Sequence, residues 1–369
     1  MTPLAILPKF LWKHIIAYLT YANKLQLPTV NSQFSAMIDW KALFLDDRPD
    51  AIVIVKCVSY YITNFWYYAS NNHISCDGVS ALLHFISSDN VDNSFIYYKV
   101  FIKSGEYLFA NYNYNTEYNF CKRSCSIKIT GSKTATTSFV YNSRCNNNLD
   151  TDIVYCRETI PIVISKYFSM SYIRFHNLKC LLMKYDFDTS CSDNTELSIS
   201  NCDFNGDLCV LDITDVNKTN ITNCQFNSQY GVGIYKTVYI TENIIKCMIS
   251  NSTFITKKDC IIGSIYDTIT NILIQFTNNR VMKAKTVFAY FYDPNSKIII
   301  SNNSISNVDS FLRSCQNTIV INDNYFVNVA ELRDNELGNI IIYDSDRFEN
   351  CGAKCTEQAT QLKIESMSQ

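Results

Sequence analysis

Pairs of aspartates separated by 21 to 24 residues are the side chains in this sequence best suited to chemistry. The pairs are Asp186 with Asp207, Asp188 with Asp212, and Asp193 with Asp215. Two carboxylates brought together act as acid and base in glycoside cleavage, or bind Ca²⁺ through their oxygens. No Arg or Lys recurs beside these aspartates at the same spacing. Aspartate-rich turns explain the pattern more simply, and we favour that interpretation.

Cysteines and histidines offer only loose metal-binding spacings. Cys121 and Cys125 are four residues apart, as are Cys351 and Cys355, but no second pair follows at a zinc-finger distance. The four histidines have no partner at metal-ligand spacing. The sequence also contains no phosphate-binding glycine loop and no nucleophile elbow. We therefore predict a non-catalytic protein with no metal and no cofactor.

A six-residue phrase, as in Ile199–Phe204, recurs through the second half of the chain. Its period is close to the separation of the paired aspartates. Its third position falls at 177, 201, 223, 251, 278, 302, 323 and 345, in steps of 24, 22, 28, 27, 24, 21 and 22 residues. The first and last copies, 175–180 and 343–348, are looser than the others. A period in this range predicts a solenoid, whose repeats bury their apolar faces by stacking on their neighbours.

Each phrase places a polar residue, usually Asn, between two apolar positions. We expect the first and sixth positions to face inward and stack in apolar columns. Because Asn tolerates left-handed backbone and bonds nearby backbone groups, we expect a bend there, with a ladder of side-chain amides. The ladder residues are Asn177, Asn201, Asn223, Asn251, Asn278, Asn302 and Asp323. An Asn-lined binding track is the alternative to this structural role, which we favour.

Residues 1 to 48 form a separate helical segment in this interpretation. Leu11, Ile15, Ile16 and Leu19 are spaced three to four apart or adjacent, which places them on one helical face. After a polar break at 20–24, further apolar positions predict two more short helices. They are Leu25, Leu27, Val30, Phe34, Met37 and Ile38.

This segment resembles an F-box domain. The resemblance is carried by Leu7, Pro8, Ile15, Tyr18, Leu19, Leu25, Leu27, Val30, Phe34 and Trp40. It implies docking to the Skp-type adaptor protein of a cullin-RING ubiquitin ligase, by a helix-in-groove contact. The implied adaptor-binding residues are Leu7, Pro8, Ile15, Ile16, Leu19, Leu25, Leu27, Val30, Phe34 and Trp40. A plain helical cap over the open end of the solenoid is the alternative.

Residues 49 to 95 are expected to hold a linker and a helical cap. The run 51–69 is rich in β-branched and aromatic residues without clean alternation, so helix and strand both remain open. Apolar spacing within 79–86 predicts an amphipathic helix. From residue 96 onward, alternating strands with Gly105 and Gly131 at their turns predict the first repeats of a parallel stack.

This order of elements resembles the pectin-lyase-like right-handed β-helices. A short helix, a Gly-x-Tyr turn at Gly105 and an Ile-x-Ile-x-Gly strand ending at Gly131 precede the recurring phrase. The resemblance implies a mainly β fold: a single-stranded, right-handed parallel β-helix over residues 96–369, behind a small all-α F-box-like domain. Many such β-helices are polysaccharide lyases or hydrolases, so a carbohydrate-active enzyme is the alternative function.

Composition limits the partners and the cellular locations that we expect for this chain. Because 32 basic and 34 acidic residues give a net charge of −2 and no long basic run, we do not expect nucleic acid as a partner. The apolar run 51–69 is interrupted by polar residues, which argues against a membrane span. No secretory leader is recognised at the N-terminus, so we expect 16 reduced cysteines and a cytoplasmic or nuclear location. The Asn- and Ile-rich composition is typical of AT-rich genomes, such as those of amoebae and large DNA viruses.

Two uses remain open for the aromatic segment 97–118. Its tyrosines suit the stacking of sugars or the anchoring of a protein, and they suit core packing equally well. For the whole chain, the helical module and the absence of a recognised leader favour a ligase adaptor over an enzyme. The β-helix would then bind a protein substrate.

Overall fold

The structure, a computed structural model, describes residues 51–58, 61–69, 96–109, 118–119, 125–141, 159–164, 166–177, 180–185, 195–206, 211–228, 231–235, 245–256, 260–263, 271–333 and 339–367. These residues form a mainly β structure, with two sheets and one helix near the C-terminal end of the described chain. The sheets consist mostly of parallel strands, as the recurring phrase predicts.

The strands fall into two groups along the chain. Those before residue 215 are β1 (Ala51–Val58), β2 (Tyr61–Ala69), β3 (Ile96–Ile102), β4 (Gly105–Phe109), β5 (Tyr118–Asn119), β6 (Cys125–Thr130), β7 (Thr137–Tyr141), β8 (Thr159–Ile164), β9 (Tyr167–Ser171), β10 (Arg174–His176), β11 (Cys180–Tyr185), β12 (Glu196–Ser200), β13 (Asp203–Asn205) and β14 (Leu211–Thr214). Those after it are β15 (Lys218–Thr222), β16 (Gln225–Ser228), β17 (Val232–Tyr235), β18 (Ile245–Ser250), β19 (Thr253–Thr256), β20 (Cys260–Gly263), β21 (Ile272–Thr277), β22 (Arg280–Phe291), β23 (Lys297–Ser301), β24 (Ser304–Cys315), β25 (Thr318–Asn322), β26 (Tyr325–Arg333), β27 (Ile340–Ile342) and β28 (Arg347–Glu349). The helix is α1 (Ala353–Met367).

The first sheet stacks one strand from each repeat. Its order is β2-β1-β3-β6-β9-β12-β15-β18-β21-β23-β25-β27. From β3 onward every neighbouring pair is parallel. Paired residues lie one repeat apart in sequence: Ile199 pairs with Ile221, and Ile221 with Ile249. The period of the phrase is therefore the spacing between hydrogen-bonded neighbours.

The second sheet contains the strands that follow each first-sheet strand along the chain from β3 onward, and it has two arms. One arm runs β4-β7-β10-β13-β16-β19-β22, and the other runs β5-β8-β11-β14-β17-β20-β22. The arms meet at β22, which is long enough at 12 residues to pair with both β19 and β20. β24, β26 and β28 continue the stack in parallel from β22.

The core forms from the alternate side chains of both sheets. In β21, buried residues alternate with half-buried ones along all six positions. The sixth position of the phrase forms an aromatic column through Phe204, Phe226 and Phe254, which Phe175 extends by one strand, and the four rings stack nearly parallel. Successive ring centroids lie 4.9, 4.9 and 4.8 Å apart. Because parallel strands are also about 4.8 Å apart, the rings stack at the spacing that the backbone hydrogen bonds impose.

The run 51–69, for which the sequence leaves helix and strand open, forms strands. β1 pairs antiparallel with both β2 and β3. The β-branched and aromatic residues of this run favour that outcome. The first sheet therefore extends into the segment 49–95, where the sequence predicts a linker and a helical cap. The helix predicted within 79–86 lies outside the described residues.

Residues 353–367, which the sequence interpretation includes in the β-helix, form α1 instead. Cys355, Ala359 and Leu362 are buried at helical spacing, and α1 packs against β26 and β27. The helix therefore covers apolar surface at the end of the first sheet, whose last strand is β27. In the part of the chain that the structure describes, no helix has the length and apolarity needed to cross a bilayer.

Candidate functional site

The residues predicted to bind the Skp-type adaptor all lie between positions 7 and 40, outside the described residues. Their role therefore stays a prediction from the sequence. The described residues bear on three other expectations: the Asn bends, the carboxylate and cysteine pairs, and the aromatic segment. They also reveal a basic groove that the sequence interpretation does not anticipate.

The third position of the phrase is a bend in left-handed backbone. Its φ angles are 54° at Asn201, 54° at Asn223, 52° at Asn251, 56° at Asn278, 55° at Asn302 and 57° at Asp323. Asn and Asp adopt this conformation more readily than other residues that carry a Cβ. Each bend leads directly from a first-sheet strand to a second-sheet strand, as Asn223 does between β15 and β16. The Asn positions therefore serve the architecture.

The amide ladder expected at these positions is formed instead by the residues that follow them. Asn324 Oδ1 accepts hydrogen bonds from the backbone N and the Nδ2 of Asn303, at 3.0 and 2.9 Å. Asn303 Oδ1 accepts one from the backbone N of Asn279 at 2.8 Å. Ser252 and Asp346 extend the ladder at its two ends. The ladder shifts by one residue because the bend residue is mostly exposed, whereas the next side chain is buried.

Strand register also revises the first copy of the phrase. Ser171 pairs with Ser200, so Tyr172 takes the bend position equivalent to Asn201. Tyr172 has a φ of 59°. Asn177 belongs to a second bend, two residues after Phe175, where its backbone N donates to the oxygen of Asn205 at 2.9 Å. The spacing of 24 residues from Asn177 to Asn201 concealed this shift, because both bends favour Asn.

The final copy of the phrase contains one extra residue. Ile321 pairs with Ile342, so Ile342 fills the inward position that the sequence interpretation gave to Tyr343. Tyr343 is 51% exposed and begins a tight turn, in which the backbone N of Asp346 donates to its oxygen. The register recovers at Phe348, which pairs with Phe326. The extra residue is therefore accommodated within the bend.

The aspartate pairs are only partly within the described chain. Asp186, Asp188, Asp193 and Asp207 lie outside the described residues. Asp212 lies on β14 in register with Leu182, while Asp215 is buried and has a φ of 59°. In the described ranges, no three His, Cys, Asp or Glu residues are grouped so as to hold a metal ion. Asp215 thus occupies a left-handed turn, but a buried one and not the solvated turn that the sequence predicts.

The six cysteines whose side chains the structure describes are free thiols, five of them buried. Burial raises the pKa of Cys247 to about 12. Burial, with a smaller effect of the neighbouring Cys351, likewise raises the pKa of Cys355 to about 12. A thiol with such a pKa stays protonated at neutral pH and is neither a good nucleophile nor a ready metal ligand. These cysteines therefore act as small apolar side chains in the core.

The aromatic segment divides between core and surface. Tyr98 and Tyr107 are buried at 1% and 3% exposure, whereas Tyr97 is half-buried. The side chains of 110–118 lie outside the described residues. Tyr97 stands on the outer face of β3, beside the groove described next.

The outer face of β3, β6, β9 and β12 contains a groove of about 500 Å³. Strand register places Lys99 beside Lys128, and Lys128 beside Ser169. A parallel column joins Thr130, Ser171 and Ser200. These side chains face away from the core because they alternate with buried residues in each strand. Lysines and hydroxyls thus share one concave surface.

Aromatic rings support two of the groove's ammonium groups. Lys99 Nζ lies 5.5 Å from the centroid of the Tyr97 ring, and Lys133 Nζ lies 4.7 Å from that of Tyr172. Both distances are within the range of cation–π attraction. The third lysine, Lys128, is exposed. No described residue that lines the groove is Asp or Glu, so the groove has positive charge and can attract anionic groups.

The sequence interpretation missed this groove because it followed the Asn phrase, which begins only after β9. Lys99 and Lys128 are 29 residues apart, close to one repeat, and that spacing was the available signal. Lys133 follows in the loop between β6 and β7, where the sequence shows no repeating pattern. Its approach to Tyr172 depends on the stacking of β6 on β9, which local sequence does not reveal.

Comparison with known proteins assigns no family to the chain. No protein-family model matches it, and neither a curated protein nor a solved structure matches it. The features of the chain that bear on its function are the N-terminal apolar pattern and the exposed surface of the stacked strands.

Proposed function

We propose that this protein is the substrate-recognition adaptor of an SCF-type cullin-RING ubiquitin ligase. Residues 1–48 dock to the Skp-type adaptor protein, and the stacked β-strands bind the protein to be ubiquitinated. The observation that carries the proposal is the apolar pattern between Leu7 and Trp40, with its resemblance to an F-box. Apolar residues at helical spacing suit a helix-in-groove contact.

We further propose that the strands from β3 onward wind as a right-handed parallel β-helix. Three features support this architecture: parallel pairing at a spacing of one repeat, a left-handed bend after each first-sheet strand, and apolar columns between the sheets. A solenoid of this kind offers long, rigid outer faces made from successive repeats. Such faces suit substrate binding, while a separate N-terminal module contacts the ligase.

The proposed role belongs inside the cell, in the cytoplasm or the nucleus, where ubiquitin ligases act on their substrates. Buried thiols fit this placement, since reducing compartments keep cysteines unpaired. Six described cysteines are free, five of them buried. The proposal requires no metal, cofactor or catalytic residue in this chain, because the chemistry of ubiquitin transfer belongs to other subunits.

Affinity purification of the full chain, followed by mass spectrometry, tests the proposed function. We expect the Skp-type adaptor and a cullin to co-purify with the bait and to be missing from a purification with an unrelated bait. Captured proteins that accumulate when the proteasome is inhibited would be candidate substrates. If the wild-type chain folds and captures no Skp-type adaptor, the proposed ligase role is wrong.

A further inference from the structure

We propose that the groove on the outer face of β3, β6 and β9 binds an acidic, extended segment of a partner protein through Lys99, Lys128 and Lys133. Under the proposed function the partner is the ubiquitination substrate, and that identity rests on the proposed function. The binding chemistry rests on the groove alone.

The three lysines are available to an anionic partner. Within the described residues none of them forms an ion pair. On the neighbouring repeats, by contrast, Lys218 Nζ pairs with Glu196 Oε1 at 3.1 Å, so its charge is already compensated. The groove therefore concentrates uncompensated positive charge on a chain whose net charge is −2. Complementary charge of this kind favours acidic partners over neutral ones.

The spacing of the lysines favours several separate anions over a single one. The rings of Tyr97 and Tyr167 lie in one column across the strands, and Tyr172 lies five residues beyond Tyr167. The four strand steps from Tyr167 to Ser171 span roughly 13 Å, and Tyr172 follows in the left-handed bend. Because Lys99 lies against Tyr97 and Lys133 against Tyr172, we infer that their ammonium groups lie toward opposite ends of the groove and bind separate anions. Asp and Glu side chains spread along an extended segment of about five residues match this span.

The floor of the groove suits a peptide backbone. Ser169 and Ser171 are only 5% and 7% exposed, although they lie on the outer face of β9. Ser171 Oγ already donates to Thr130 Oγ1 at 3.4 Å, whereas Ser198 and Ser200 beside it are half-buried and offer hydroxyls that can bond peptide groups. Hydroxyls on the groove floor and separated cations thus accommodate both the backbone and the acidic side chains of one segment.

In the column of Lys99 and Lys128 the positive charge ends at β9, and the next lysines on this face, Lys218 and Lys246, belong to the neighbouring column beyond Glu196. In the column of Lys99, the next strands present Ser169, Ser198 and Asn220. A nucleic acid binds through many evenly spaced phosphates and needs a longer basic track. The confined charge therefore favours a short acidic segment of protein.

Fluorescence anisotropy with the purified full chain tests the groove. The probe is a labelled oligo-glutamate peptide, and the matched probe is oligo-glutamine of equal length. We expect the chain to bind the acidic probe preferentially and more weakly as salt is added. The triple variant Lys99→Glu, Lys128→Glu, Lys133→Glu should weaken binding by about 10-fold or more. Lys297→Glu, an exposed lysine on the same sheet outside the groove, should leave binding unchanged.

Two results would overturn the proposal: equal binding of both probes, or an unchanged affinity in the triple variant. Tighter binding of heparin or of a single-stranded oligonucleotide than of oligo-glutamate would also overturn it. If the charge-reversed protein does not fold, the variant with glutamine at all three positions replaces it. Adaptor capture is measured for the wild-type chain and for the triple variant, and this separates the two proposals. If the wild-type chain binds the acidic probe but captures no adaptor, only the ligase role is overturned. If it captures the adaptor but does not bind the acidic probe, only the groove proposal is overturned.

Discussion

Asn303 donates its side-chain Nδ2 to the Oδ1 oxygen of Asn324, one repeat further along the chain, at 2.9 Å. The same Nδ2 lies 2.9 Å from the backbone oxygen of Phe276 in the preceding repeat. Asn303 Oδ1 accepts the backbone N of Asn279 at 2.8 Å. One buried amide therefore links three successive repeats, and each of its polar atoms has a partner.

Replacing Asn303 with leucine should lower the free energy of unfolding by about 2–4 kcal/mol. The substitution leaves the backbone N of Asn279 and the oxygen of Phe276 without their side-chain partner inside the core. Urea unfolding followed by far-UV circular dichroism measures the change. Gln316→Leu is the control, because it alters an exposed amide in the same region and should change stability by less than about 0.5 kcal/mol. Equal effects of the two substitutions would contradict a structural role for the ladder.

At the neighbouring bend, Asn302→Ala should cost about 1 kcal/mol of stability, whereas Asn302→Gly should cost little. Asn302 has a φ of 55° and an exposed side chain, so backbone strain rather than lost contact determines the cost. Thermal unfolding of both variants provides the comparison. An equal loss in the Ala and Gly variants would show that a contact of the amide, and not backbone strain, determines the cost.

The period and the bends were predictable because each depends on local properties. Ile221 and Ile249 mark their inward positions by type and spacing, and Asn223 marks its bend by the backbone that it tolerates. Hydrogen-bond pairing then converts a sequence period into a stack. The mainly β class therefore follows from residues that are near one another in the chain.

The ladder residues and the groove depend on relationships that local sequence does not contain. Asn303 and Asn302 are the same residue type, and only the left-handed φ at Asn302 decides which side chain turns inward. Lys99 and Lys128 become neighbours only through the register of β3 with β6. Helix α1 was missed because two of its buried residues, Cys355 and Ala359, are small and gave a weak apolar pattern.

The ladder ends in a titratable group, Asp346, which should make stability depend on pH. Burial raises the pKa of Asp346 above the usual aspartate range, although its bonds from Asn324 partly oppose this effect. The folded chain therefore holds the proton more tightly than the unfolded chain does. The stabilisation is complete below the unfolded pKa of about 3.9 and is lost as pH rises through the higher folded value.

Asp346→Asn should therefore raise the melting temperature at neutral pH and have progressively less effect in acid. Asparagine keeps an Oδ1 acceptor for the backbone N of Asn324, which Asp346 Oδ1 now accepts at 2.8 Å. It also replaces Oδ2, which has no hydrogen-bond partner among the described residues, with a neutral donor. Melting temperatures across a pH series measure the effect. Asp309→Asn changes an exposed carboxylate by the same charge, and a similar response there would contradict the assignment to Asp346.

The proposed contact with the Skp-type adaptor predicts a position-specific loss of capture in the first helix. Ile15→Asp or Leu19→Asp places a carboxylate on the predicted apolar face, where docking would bury it without a partner, so we expect capture to be abolished. Lys13→Asp introduces the same carboxylate two residues before Ile15, about 200° around a helix from it, and should leave capture intact. Circular dichroism must show that all three variants retain the wild-type fold. Loss of capture in Lys13→Asp as well would show that the segment does not dock through a single helical face. Retention in all three would show that the apolar stripe serves the fold and not the ligase.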